Sequence, residues 1–167
     1  MYIGNNQLYM FPTLTLRPHW MQYFINEFQF MLLALVSFGI YAFAEFKYHE
    51  LFIWPTLGLL VYLLSRGIYM LRMEYVVSGE QLIIMHGVLN HATDYVELYR
   101  IIDYQDHRSF WQQVFGLKSV TIYSGDKTNP VVVLFGVKET VDVVSEIRQR
   151  VEFNKRRRGI YEFTNQS

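Results

Sequence analysis

Apolar residues fall into two blocks near the start of the chain and afterwards break into short, punctuated runs. The first block runs from about Phe24 to Ala44 (FINEFQFMLLALVSFGIYAFA) and the second from Leu51 to about Leu64 (LFIWPTLGLLVYLL), with EFKYHE between them. A helix rises about 1.5 Å per residue, so about 20 residues match a hydrocarbon core of roughly 30 Å. Neither block carries the polar stripe of a surface helix. The pattern predicts a transmembrane hairpin over 24–70, with helices at about 24–44 and 51–70 joined by a tight turn. Pro55 falls in the first turn of the second helix, where a missing N–H costs least.

Residues 1–23 are a mixed lead, and Leu16-Arg17-Pro18-His19-Trp20 sets a charge, a helix breaker and an aromatic ring before the first block. Trp20 and Tyr23 suit the headgroup level, where amphipathic rings settle. Ala42-Phe43-Ala44 has the spacing of a secretory cleavage site, but the region before it is long and Arg17 is its only strong positive charge. A retained helix is the expectation. The other reading, two buried helices of a soluble domain, needs more surrounding mass than 167 residues supply.

From Leu71 the period changes. Met73–Val77 and Gln81–His86 flank Ser78-Gly79-Glu80, a hairpin with glycine in its turn. Ala92–Asp103 holds a third and a fourth strand, Ser119–Ser124 alternates polar and apolar, and Gly125–Pro130 is a turn. Val131–Phe135 is a continuous apolar run, as in a strand buried on both faces. Val137, Val141, Val144, Ile147 and Val151 then recur at helical spacing, predicting an amphipathic helix over about 137–157 that lies across the sheet. Lys155-Arg156-Arg157-Arg158 sits in its last turns, where cations complement the helix dipole, and 159–167 is a tail.

Composition narrows the partners more than the chemistry. Lys and Arg number 15 against 15 Asp and Glu, so no bulk attraction draws the chain to nucleic acid. With no cysteine, disulfides, thiolate metal sites and thiol nucleophiles are all excluded. Arg17, Arg66 and Arg72 flank the blocks on one side and only Lys47 on the other, which places both termini in the cytoplasm.

Leu98-Tyr99-Arg100-Ile101-Ile102-Asp103-Tyr104-Gln105 looks like the "l-x-R-I-x-D-v" strand of the bacterial pleckstrin-homology-like membrane proteins. Phe110-Trp111-Gln112-Gln113-Val114-Phe115-Gly116-Leu117 resembles that family's "l-q-r-l-f-G-l" helical turn, and Val120–Tyr123 its following strand. Gly136-Val137, opening the last helix, and Leu16–His19, before the first, fit the same order. The resemblance spans roughly Leu16 to Val151. It implies an α+β fold in the bacterial inner membrane: a two-helix transmembrane hairpin, then a PH-like antiparallel β-barrel or sandwich of about seven strands over 71–158, with a C-terminal capping helix. Arg100 with Asp103 reads as an ion pair near a strand end, and Gly116 as a positive-φ position.

No catalytic constellation stands out. The histidines, His19, His49, His86, His91 and His107, are scattered, and Asp103, Asp106 and His107 form only a local cluster on a strand end. No phosphate-cradling glycine loop, nucleophile elbow or zincin helix is present. The expectation is a non-enzymatic protein with no cofactor and no metal. Eukaryotic relatives of the fold hold phosphoinositides with basic residues in the first hairpin, whereas Ser78-Gly79-Glu80 is acidic. Two surfaces remain. Phe110, Trp111 and Phe115 make an aromatic corner suited to a protein partner or a second copy of the chain. Arg66, Arg72, Lys155, Arg156, Arg157 and Arg158 are the candidates for contact with anionic membrane lipid. The function expected is presentation of the domain at the bilayer for protein interaction, within an envelope assembly, with a lipid- or small-ligand-binding module as the alternative.

Overall fold

Two long helices dominate the N-terminal half because their middle turns are almost wholly apolar. The structure, a computed structural model, describes residues 11–88 and 90–160. The first ten residues of the lead and 161–167 of the tail lie outside the described residues. Helix α1 (Met21–Phe43) and helix α2 (Ile53–Leu71) pack antiparallel through a 3₁₀ turn at His49–Phe52. Both are long and apolar enough to cross a membrane, and only 17% and 11% of their most apolar windows are buried. A core helix of a soluble domain would be mostly covered. Leu35, Phe43, Trp54, Leu64 and Leu71 instead stand outside any packing.

The seams of the hairpin are polar. Thr56 Oγ1 donates to the Phe52 carbonyl at 2.8 Å and lies 3.0 Å from Ser37 Oγ, which reaches the same carbonyl at 3.1 Å. Tyr23 Oη donates to the Leu63 carbonyl at 2.8 Å.

The remaining strands build a sandwich of two antiparallel sheets, not a closed barrel. The first sheet orders β1 (Leu14–Leu16), β2 (Glu74–Val77), β3 (Gln81–His86) and β4 (Ala92–Glu97); the second orders β5 (Ile101–His107), β6 (Leu117–Ser124) and β7 (Val131–Lys138). Inward side chains at alternate positions form the core: Tyr75, Val77, Leu82 and Val96 from one sheet, Ile101, Val120, Ile122 and Leu134 from the other. The short helix α3 (Phe110–Val114) links β5 to β6. Helix α4 (Val143–Arg157) closes the core with Val143, Ile147 and Val151.

Five expectations are corrected. The seven strands include β1, which precedes the hairpin: Leu14 pairs with Val77 and Leu16 with Tyr75, so the lead joins the sheet. Val137 belongs to β7, where it is 2% exposed, and the helix begins only at Val143; a strand residue and a loop residue, Val141, happened to extend the helical spacing. Gly136 therefore lies within a strand and opens no helix. The run Val131–Phe135 is not buried on both faces, since Val132 and Leu134 point inward while Val131 and Phe135 are exposed. Arg100 pairs with Asp126 at 3.1 Å rather than with Asp103, whose Oδ1 accepts from the Tyr104 N–H. Gly116 does hold φ +61°, as expected of it.

Candidate functional site

The hairpin is inserted between two strands that are direct neighbours in one sheet, β1 and β2. Leu16 ends β1 five residues before α1 begins at Met21, and α2 ends at Leu71 three residues before β2 begins at Glu74. Neither end has a linker. Arg17, just past β1, and Glu74, the first residue of β2, pair at 3.2 Å across the neck of the hairpin. The His19 N–H donates to the Gly136 carbonyl at 2.9 Å, tying the start of α1 to β7.

Helix α3 docks onto this junction through one residue. Ser109 Oγ accepts from the Gln112 N–H at 3.3 Å, and Gln112 Oε1 accepts from the Ser109 N–H at 3.0 Å, a reciprocal cap that fixes the five-residue helix. The buried Gln112 Nε2 donates to Gln22 Oε1 on α1 and to Ser119 Oγ on β6, both at 2.8 Å. Turning Gln112 inward sends its neighbours outward. Phe110, Trp111, Val114 and Phe115 are 69%, 54%, 58% and 42% exposed. The predicted aromatic corner is thus one surface, and Val114 joins it. Trp111 and Phe115 line an apolar depression of about 200 Å³ with Phe24, Ile25 and Phe28 from the first two turns of α1.

The six candidate lipid-contact cations are split between two ends. Arg66 and Arg72 lie at the base of the hairpin, where Arg66 Nε donates to Glu27 Oε1 at 2.8 Å and Arg72 Nη1 to the Val88 carbonyl at 2.8 Å. Lys155, Arg156, Arg157 and Arg158 sit at the other end of the sandwich, since Asn154 Nδ2 donates at 2.7 Å to the carbonyl of Gly79 in the β2–β3 turn. Strand β2 runs from the hairpin out to that turn, which sets the two clusters a strand length apart. Much of the tetrad's charge is already engaged. Arg157 pairs with Glu80, Arg156 approaches Glu152 at 3.9 Å, and Arg158 lies over the Tyr99 ring at 4.0 Å. The acidic residue of the first hairpin is therefore an internal counter-ion.

One surface was missed. Strand β5 is an edge of its sheet, and beside it α4 leaves a groove of about 350 Å³. Its floor and walls include Ile102, Tyr104, Arg148, Val151, Lys155 and Arg156. The signal was a strand with exposed Ile102 inside the stretch that carries the family resemblance. Among the described residues no group of three His, Asp or Glu side chains lies close enough to hold a metal ion. His86 instead faces Asp94 across β3 and β4 at 3.7 Å.

The family model for the bacterial PH domain matches residues 23–151, and the chain belongs to that family. No curated protein and no solved structure matches the chain.

Proposed function

We propose that this chain is a non-enzymatic docking module of the bacterial inner membrane. Its hairpin spans the bilayer with both termini in the cytoplasm, and its PH domain is held at the membrane surface to receive a protein partner within an envelope assembly. The observation that carries this reading is the aromatic corner on α3, locked by Gln112 against Gln22 and continuous with the exposed apolar turns of α1. Such a corner sits level with the headgroups, so its occupant is a juxtamembrane helix of a partner rather than a freely diffusing protein. Large aromatic anchors in a desolvated depression are what interfaces concentrate their energy in. The three tryptophans support the bilayer reading: Trp20 and Trp111 lie at the sandwich end of the hairpin and Trp54 near the far turn, as two aromatic belts.

A second reading, lipid binding at the membrane surface, is favoured by the same placement beside α1. A photo-crosslinking residue at Val114 separates the two. Discrete protein adducts in native membranes support the docking module, and an adduct of twice the 20.0 kDa chain mass identifies a second copy as the partner. Adducts to lipid alone would sink the docking reading. A Phe110→Ala, Trp111→Ala, Phe115→Ala set should abolish the protein adducts while leaving the sandwich folded.

A further inference from the structure

Buried polar side chains cluster where the hairpin meets the sandwich, and one of their atoms has no partner. Glu27, 3% exposed, faces α2 from the second turn of α1. Its Oε1 accepts from Arg66, but its Oε2 is buried without any hydrogen-bond partner. A buried carboxylate oxygen in that state is strongly disfavoured unless a donor reaches it. A cavity of about 270 Å³ adjoins it, lined by Gln22, Asn26, Arg66, Tyr69 and Phe135 among others. That is several times the roughly 30 Å³ share of one water.

The cavity wall presents opposite chemistry side by side. Glu27 Oε2 asks for a donor. Next to it, Arg66 uses Nε on Glu27 at 2.8 Å and lies beside the Tyr69 ring at 5.6 Å, and among the described residues its terminal nitrogens donate to nothing. One occupant completes both if it carries an ammonium N–H and a phosphate on a short tether. One turn further into the hairpin, on the same faces of the two helices, the Phe30 and Tyr62 rings meet at 5.0 Å and a 57° tilt. Chains attached to an occupant would run over the exposed apolar surface of the helices beyond.

We propose that this cavity takes the headgroup of a phospholipid bearing a primary ammonium, of the phosphatidylethanolamine class. The ammonium donates to Glu27 Oε2 and the phosphate accepts from Arg66. Phosphatidylcholine has no N–H to donate, and phosphatidylglycerol has no cation. The inference rests on the hairpin lying in a bilayer.

The test uses the full chain in detergent, offered equal amounts of the three lipids and read by native mass spectrometry. Retention of phosphatidylethanolamine about tenfold or more above the other two is expected, the factor associated with one charge-assisted hydrogen bond. Equal retention of phosphatidylglycerol would reduce the site to phosphate capture, and equal retention of phosphatidylcholine would remove the ammonium's role; either overturns the proposal. Soluble glycerophosphoethanolamine binding as well as the diacyl lipid would overturn the lipid assignment. Glu27→Gln, which keeps an oxygen for Arg66, should erase the preference. The competition among lipids needs no variant, so a poorly folding Glu27→Gln leaves the test intact. Release of the chain from membranes by alkaline carbonate would instead sink the membrane reading itself.

Discussion

Gly136 and Gly116 hold the same backbone conformation, and comparing them isolates what fastens the hairpin to the PH domain. Both have φ +61°, a region where a Cβ costs an L-residue about 1–2 kcal/mol. A Cβ on Gly116 meets nothing within 4 Å, whereas one on Gly136 would lie 2.7 Å from Gln22 Cβ and 2.9 Å from its Cγ. The Gln22 Cβ is fixed to the α1 backbone, and its amide is bonded to both Asn26 and Gln112, so it cannot swing away cheaply. Relief of such overpacking typically costs about 1–3 kcal/mol in addition. Gly116→Ala should therefore lose about 1–2 kcal/mol and Gly136→Ala about 2–5 kcal/mol. In thermal unfolding of the detergent-solubilised chain, the difference of about 1–3 kcal/mol corresponds to about 2–12 °C. Hydrogen exchange should localise it: Gly136→Ala speeds exchange in α3 and the first turn of α1, and Gly116→Ala does not. Equal losses for the two variants, or unchanged exchange at α3, would refute the idea that Gly136 is there for close approach to Gln22.

Three further outcomes follow from the same geometry. Tyr75 Oη accepts from the Phe135 N–H at 3.1 Å and donates to Met73 Sδ, so Tyr75→Phe removes the partner of a partly buried amide and should cost about 1 kcal/mol in denaturant unfolding. Burial pushes the Tyr75 phenol up to about 12 from 10.0. Because the folded state holds that proton longer, stability present below pH 10 is lost as pH rises toward 12, and Tyr75→Phe should flatten that alkaline decline. Asp126 is held below its ordinary value by the Thr128 N–H and by Arg100, so its loop is stable above the usual carboxylate range. Lowering the pH through that depressed value should release the loop, seen as faster exchange of the Thr128 amide before the core responds. Finally, a chain without cysteine suits labelling: Glu45→Cys should react with an impermeant maleimide from outside spheroplasts and Asn129→Cys should not. The reverse pattern would invert the proposed topology.

Local periodicity in the sequence carried the hairpin, the β2–β3 turn and the order of strands after it. What it could not carry were pairings across long separations. Strand β1 is three residues long, and its partner Tyr75–Val77 follows only after the entire hairpin, so the brief alternation Thr13-Leu14-Thr15-Leu16 has no nearby strand to pair with. Gln22 looks like any polar residue at a helix start until Gln112, ninety positions later, is seen to reach it. Glu27 and Arg66 are a similar case, each unremarkable on its own helix and paired only by the register of α1 against α2. The slip at Val137 has a different cause. Valine suits strand and helix packing alike in an apolar run, and Gly136 with positive φ bends β7 just where the helical spacing began to match.

The insertion of the hairpin between adjacent strands sets how the two halves influence each other. A domain attached by one flexible linker would be insensitive to tilting of its anchor. Here both helix ends continue within a few residues into β1 and β2, which are hydrogen-bonded to each other, and a third tie runs from His19 to Gly136. A fourth runs from Gln22 through Gln112 to Ser119 on the second sheet. Any relative tilt of α1 against α2 must either break the β1–β2 ladder or rotate the sandwich with it. Packed elements of this kind shift as rigid bodies rather than deform. An occupant at α3 and an occupant at the Glu27–Arg66 cavity would thus press on the same few residues, Gln22 above all, from two sides. Coupling between them requires no path through the core; the shared helix turn is enough.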